Sequence, residues 1–368
     1  MNPSLLESFW SRSCTPSDWT TTEWETLLGQ ARQARLLGRL AAQFKSRVWM
    51  PSVTVGPFHH LESGLRRAER QQHEVRWEVN RIAHGLRDVG VPIVLLKGAA
   101  YLMADLPPAR GRLFSDIDLM VPKDHIQTIE GSLFASGWIC DERDTYNQRY
   151  YREWMHEIPP LRHVQRNTYI DLHHTITPPT SRFAVDGARL LNQIVPIDEE
   201  KKIFVLAPVD MVLHSAVHLF TEGEFSAGLR DLLDLKDLLE HFSTQSDFWQ
   251  NLLDRADELG LQIPLFHALF HIQRLFGYAP PAKWAERVRR LSPPAPARLL
   301  MGWLLGLALR PDHPSCDTRW TGLARWMLYV RSHALRMPLY LAVPHLIRKA
   351  WMRHFPEKKV EKITAQNP

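Results

Sequence analysis

Apolar residues recur at helical intervals across residues 1–90. Trp24, Leu27, Leu28 and Ala31 follow the run Trp19-Thr-Thr-Thr-Glu-Trp-Glu, and Thr22 with Glu25 has capping-box spacing. A longer helix is predicted over residues 65–88, closed by Gly90. The period changes at Val91-Pro-Ile-Val-Leu-Leu96, which reads as a short buried strand. Lys97-Gly98 then opens a helix over residues 99–106, broken by Pro107, Pro108 and Gly111. In Ser115-Asp-Ile-Asp-Leu-Met-Val121 the acids alternate with apolar residues. This predicts a strand with Ile117, Leu119 and Val121 on one face and Asp116 and Asp118 on the other. A helix over residues 123–136 and a turn at Gly137 follow. Strands are expected over 150–155, 161–165 and 168–174, with Asn167 at the turn between the last two. From Val209 onward the pattern is helical. The expected class is α+β, a small mixed sheet flanked by helices. The expected divisions are 1–90 helical, 91–205 a catalytic core, 206–290 a helical domain packed on it, and 291–368 a basic, aromatic-rich helical region.

Composition narrows the class. With 368 residues, 45% hydrophobic and 23% charged, the chain can bury a substantial core, which excludes a disordered protein. The start, Met-Asn-Pro-Ser-Leu-Leu-Glu, has no basic n-region and no long apolar stretch, so no targeting peptide is predicted and a cytoplasmic location is expected. The longest apolar run, Leu299 to Leu309, is too short to span a bilayer and reads as a core helix, so no transmembrane segment is expected. Cys14, Cys140 and Cys316 are far apart and odd in number, arguing against a disulfide framework or a cysteine zinc site. The net charge of +5 is unevenly spread. No acidic residue stands between Thr318 and Pro356, where Arg319, Arg325, Arg331, Arg336, Arg348, Lys349 and Arg353 alternate with Trp320, Trp326, Tyr329, Tyr340, Trp351 and Phe355. Residues 318–356 are therefore a candidate contact for an anionic surface or a nucleic acid.

The candidate chemistry lies in the acidic strand. At a rise of about 3.3 Å per residue, Asp116 and Asp118 stand roughly 6.6 Å apart on one face, close enough to share a divalent cation. Ile170-Asp-Leu-His-His174 is a second such strand, with Asp171 and His173 on one face. Three carboxylates on adjacent strands suit two Mg2+ ions about 3.5–4 Å apart, an arrangement that serves phosphoryl or nucleotidyl transfer. Asp171 is also placed to take a proton from an acceptor. The pairs His214/His218 and His267/His271 have i, i+4 spacing. They lack a His-Glu-x-x-His pattern and a nearby third ligand, so zinc is not expected there.

The succession Leu96-Lys-Gly-Ala99, Arg112-x-x-x-Asp116-x-Asp118-Leu-Met-Val121 and Ile170-Asp-Leu-His173 resembles the bacterial nucleotidyltransferase family related to the DNA polymerase beta superfamily. The resemblance runs from about residue 15 to 280. Residues 18–40 are similar to the family's amino-terminal helices, His156-Glu-Ile-Pro-Pro-Leu161 to its His-x-x-Pro-Pro-Leu stretch, and Gly228-Leu-Arg-Asp-Leu-Leu-Asp234 to its following helical motif.

This resemblance implies a polymerase-beta-like core, Mg2+ as cofactor with two ions, and a nucleoside triphosphate as substrate, ATP by default. It further implies transfer of a nucleoside monophosphate with release of pyrophosphate. Asp116, Asp118 and Asp171 would be both catalytic residues and metal ligands. Lys97, Gly98, Ala99, Arg112, His173, His218 and Arg230 would surround the nucleotide, with His218, Arg230 and Asp234 bracketing the triphosphate or the acceptor. The broader superfamily usually has Gly-Ser at the turn. Here Gly98-Ala99 leaves phosphate to backbone N–H groups and to cations such as Lys97 or Arg112. The hydroxyl acceptor stays open between a small molecule, an RNA end and a protein side chain. The alternative is a non-catalytic nucleotide-binding accessory protein of a peptide- or polysaccharide-processing system.

Overall fold

The first predicted helix forms, but its cap lies two residues earlier than the spacing suggested. Thr20 rather than Thr22 is the N-cap: Glu23 N donates to its Oγ1 at 3.3 Å and its own N–H donates to Glu23 Oε2 at 2.8 Å. Three consecutive threonines offer two equivalent Thr-x-x-Glu pairs, and the earlier one adds two residues, about half a turn, to the helix without moving its apolar face. In the computed structural model, which describes residues 4–11, 19–338, 340 and 343, four helices precede the first strand. They are α1 (Leu5–Ser11), α2 (Thr21–Gln33), α3 (Leu37–Ser46) and α4 (Val55–Leu86). Phe9, Trp19, Trp24, Phe44 and Trp49 interlock their rings between them.

The sheet elements follow: β1 (Ile93–Leu95), α5 (Lys97–Met103), β2 (Ile117–Met120), α6 (Ile126–Ala135), β3 (Trp138–Cys140), α7 (Thr145–Arg149), β4 (Leu161–His163), β5 (Tyr169–His173), α8 (Gly187–Leu191), β6 (Val195–Asp198) and β7 (Ile203–Val205). Seven strands lie in the order β3-β4-β5-β2-β1-β7-β6. The β2–β5 and β1–β7 pairs are parallel and the others antiparallel, which makes the sheet mixed as expected. Asn167 takes a φ of 56° at the β4–β5 turn.

The strand expected over 150–155 is not formed. Those aromatic residues continue α7 as a π-helical turn, Tyr150–Trp154. Asp144 caps α7, accepting from Tyr146 N at 2.7 Å and Asn147 N at 3.0 Å, and the Arg149–Glu153 pair at 2.8 Å spans one turn. Local capping overrides the β propensity of Tyr and Trp here.

After the sheet come α9 (Pro208–Thr221), α10 (Gly228–Phe242), α11 (Phe248–Leu259), α12 (Gln262–Phe276), α13 (Ala285–Arg290), α14 (Ala295–Ala308) and α15 (Thr321–Arg336). Helix α9 packs on α10, α11 and α12. A fully buried Asp210 on α9 accepts both Arg255 Nε at 2.8 Å and Nη2 at 2.9 Å from α11. No helix among the described residues is long and apolar enough to cross a membrane. Cys140 and Cys316 are free thiols; Cys14 lies outside the described residues.

Two basic residues of α15 turn inward. Arg331 donates to the Phe220 carbonyl at 2.8 Å and Arg336 pairs with Glu222 at 3.3 Å, so both dock α15 onto the end of α9. Arg348, Lys349, Trp351, Arg353 and Phe355 of the basic segment lie outside the described residues.

Candidate active site

Sheet register brings the acids together. Asp118 and Asp171 are direct partners across the parallel β2–β5 pair, so their side chains leave the same face one strand spacing apart. Asp116 immediately precedes β2, two residues before Asp118 and hence on that face; Ser115 Oγ donates to its Oδ1 at 2.8 Å. A fourth carboxylate joins them. Ile158 N donates to Leu172 O at 3.0 Å and His174 N to His156 O at 2.9 Å, which lays residues 156–158 antiparallel against β5 with Glu157 opposite His173.

The acids are held in different states. Asp118 is buried, and its Oδ1 accepts from Lys97 Nζ at 2.9 Å and lies 3.2 Å from His173 Nε2. Burial alone would raise its pKa, but the Lys97 ammonium and the His173 hydrogen bond hold it well below the usual carboxylate range. Lys97 is buried against its own charge, yet Asp118, Glu222 and Glu157 keep it firmly protonated. Its φ of 44° is left-handed, an uncommon conformation for lysine that aims the side chain at β2. Asp171 is pushed up to about 7 by burial and then by the neighbouring Asp118 and Glu157 carboxylates.

Helices roof this face into a cleft of about 350 Å3, within the range of small-molecule sites. The sheet side supplies Lys97, Asp116, Asp118, Glu157 and Asp171; the helical side supplies His218, Glu222, Arg230 and Asp231, with Arg35 and Arg336 at the margins. His218 Nε2 lies 3.0 Å from Glu222 Oε1. Burial works against the Glu222 charge, but His218 and Arg336 hold its pKa far below the ordinary range. Arg230 is paired with Asp231 at 2.6 Å.

Arg112 also reaches the cleft. Its Nε donates to Asp234 Oδ2 at 3.0 Å, and Arg39 from α3 binds the other Asp234 oxygen, so Asp234 joins α3, the loop before β2, and α10. Gly98 makes this possible, because a Cβ there would stand 2.5 Å from Arg112 Nη1 and 3.2 Å from Phe114 Cδ1. The glycine seats a guanidinium beneath the turn.

Of the residues singled out from sequence, Lys97, Gly98, Arg112, Asp116, Asp118, Asp171, His218 and Arg230 line this one cleft. Ala99 is buried in the core beside it, and His173, 1% exposed, sits behind Asp118. Asp234 binds arginines rather than His218. Sequence reasoning missed Glu157, Glu222 and Arg35, and named Arg336 only within the basic run 318–356. For Glu157 the adjoining His156 and Pro159-Pro160-Leu161 were a signal; the place of Arg336 in the cleft depends on how α15 folds back.

Sequence comparison adds one finding. Residues 20–277 match the family model described as uncharacterised nucleotidyltransferase. No curated protein matches the chain.

Proposed function

We propose a specific reaction for this chain, which belongs to the uncharacterised nucleotidyltransferase family and is a nucleotidyltransferase: Mg2+-dependent transfer of a nucleoside monophosphate from a nucleoside triphosphate to a hydroxyl acceptor, with release of pyrophosphate. The observation that carries this reading is the Asp118–Asp171 register across β2 and β5, with Asp116 on the same face and all three acids in one cleft. A mixed sheet with the Asp-x-Asp strand beside the strand of the third acid supports a place in the DNA polymerase beta superfamily.

The donor set fits Mg2+. Asp116, Asp118 and Asp171 offer hard oxygen ligands only, and burial together with the crowded carboxylates drives Asp171 toward its neutral form, which a dication reverses. These three residues would hold the metal, which when bound neutralises phosphate charge and favours the attacking and leaving oxygens. Lys97 fixes the Asp118 carboxylate and offsets the negative charge of the acids. Asp171, at the cleft wall, receives the proton of the acceptor hydroxyl. Arg35, Arg230 and Arg336 supply cations for the phosphates from the helical side, and Arg112, seated under Gly98, stiffens the floor.

The test uses purified protein, Mg2+, a cell extract and each nucleoside triphosphate labelled in turn at the α- and γ-phosphate. Transfer of α-label and not γ-label to an acceptor, lost in Asp116→Asn, is the expected result. Transfer of γ-label would make the chain a phosphotransferase and overturn this reading.

A further inference from the structure

Beside the three aspartates, His156 and Glu157 of the cleft and His173 behind it make a second donor set of different chemistry. One ring nitrogen each of His156 and His173 and one carboxylate oxygen of Glu157 lie within 4.8 Å of one another. His173 is 1% exposed, and neither its Nδ1 nor the buried Nδ1 of His156 has a hydrogen-bond partner among the described residues. Each unpartnered buried polar atom costs about 1–3 kcal/mol, so two of them in one cluster need a reason.

The other side of the His173 ring supplies it. Nε2 lies 3.2 Å from Asp118 Oδ1, a distance at which it must carry the proton. On the other edge of the ring, Glu157 Oε2 is 3.5 Å from Nδ1 without forming a hydrogen bond. Two imidazoles and a carboxylate gathered there, with both Nδ1 atoms unpartnered among the described residues, make a donor set that a cation would complete. The geometry is also that of a metal-ligating histidine, whose second nitrogen typically donates to a carboxylate that fixes tautomer and orientation.

We propose that His156, Glu157 and His173 form a binding site for a divalent transition cation of the Zn2+ class, separate from the Asp116–Asp118–Asp171 set and open to the cleft at its fourth position. Two imidazoles and one carboxylate favour Zn2+ over Mg2+, and three protein ligands with one open position is the pattern of a reactive rather than a structural zinc. Ligand atoms around a tetrahedral ion with bonds of about 2.1 Å stand roughly 3.4 Å apart, so binding draws the set inward by on the order of 1 Å. The Glu157 side-chain torsions can supply that movement while hydrogen bonds from residues 156–158 to β5 keep both histidine backbones fixed. The site does not depend on the transfer reaction, and its occupant is read directly.

Full-length protein is stripped with a chelator, returned to excess Mg2+ to fill the carboxylate set, and titrated with Zn2+ by calorimetry; the bound ion is then examined by X-ray absorption. One Zn2+ per chain with imidazole scattering is expected. Affinity should fall by about 10-fold or more in His156→Ala and in the isosteric Glu157→Gln, with folding verified by circular dichroism, and stay within about 2-fold of the parent in Asp116→Asn. Absence of saturable binding overturns the proposal and leaves His173 as a doubly protonated imidazolium between Asp118 and Glu157. Binding that survives both substitutions and is lost in Asp116→Asn overturns it too, by assigning the zinc to the aspartates.

Discussion

Two buried aspartates, one on α10 behind the cleft and one on its sheet wall, show how a carboxylate is committed to structure or left for chemistry. On α10, Asp234 has one oxygen on Arg39 and the other on Arg112, so both are saturated by guanidinium groups from two distant segments. On the sheet wall, Asp118 concentrates its partners on Oδ1, where Lys97 and His173 meet, and stands in register with Asp171. The first arrangement closes an ion network across three elements. The second leaves oxygen donors crowded together and facing a cavity. Burial alone therefore does not mark a functional acid; the distribution of its partners does.

Truncating the α10 aspartate should have the largest effect on stability. Asp234→Ala strands two buried arginines and is expected to cost about 3–5 kcal/mol, measured by urea denaturation. Asp118→Ala leaves one buried ammonium, Lys97, with Glu222 and Glu157 still near it, and should cost clearly less. Equal losses would erase the distinction between the two aspartates.

A third kind of buried ionisable group calibrates both. On α12, His267 and His271 lie against Phe220 and Phe270, and burial lowers them from 6.5 to about 4 and about 3. Because the unfolded chain takes up these protons first, their contribution is complete above pH 6.5 and is lost progressively as pH falls from there to about 4 for His267 and about 3 for His271. For His267 this amounts to at most on the order of 3 kcal/mol. His271→Leu removes its share of the acid dependence, so the stability difference between about pH 7 and pH 4.5 should shrink relative to the parent; an unchanged difference would show that the sheet carboxylates and not these histidines govern acid unfolding. The smallest effect belongs to Gly98→Ala. Its new Cβ must displace Arg112 from beneath the turn, at a cost of about 1–3 kcal/mol, with a fall in transfer rate to match. Full activity and unchanged stability would show that Arg112 yields freely.

Much of the site was legible because strand alternation is a local property. Asp116, Asp118 and Asp171 declared their faces through Ile117, Leu119, Ile170 and Leu172, and the order of the motifs along the chain tied them together. Strand pairing was not local, so β3, β6 and β7, each of three or four residues, carried no readable period. The turn at 150–154 misled because aromatic residues favour strands until a cap upstream decides otherwise. Glu157 and Arg336 enter the cleft through a β-bridge and a returning helix, contacts between segments far apart in sequence. The inward docking of Arg331 and Arg336 likewise needed the packing of α15 on α9, which a count of basic residues could not reveal.

The central claim is that the sheet-wall aspartates perform nucleotidyl transfer. Its most direct test is the rate of pyrophosphate release with Mg2+ and nucleoside triphosphate, compared between the parent protein and Asp118→Asn at equal folded fraction. The account predicts a loss of about 10²–10³-fold or more. A rate for Asp118→Asn within a few-fold of the parent would contradict it.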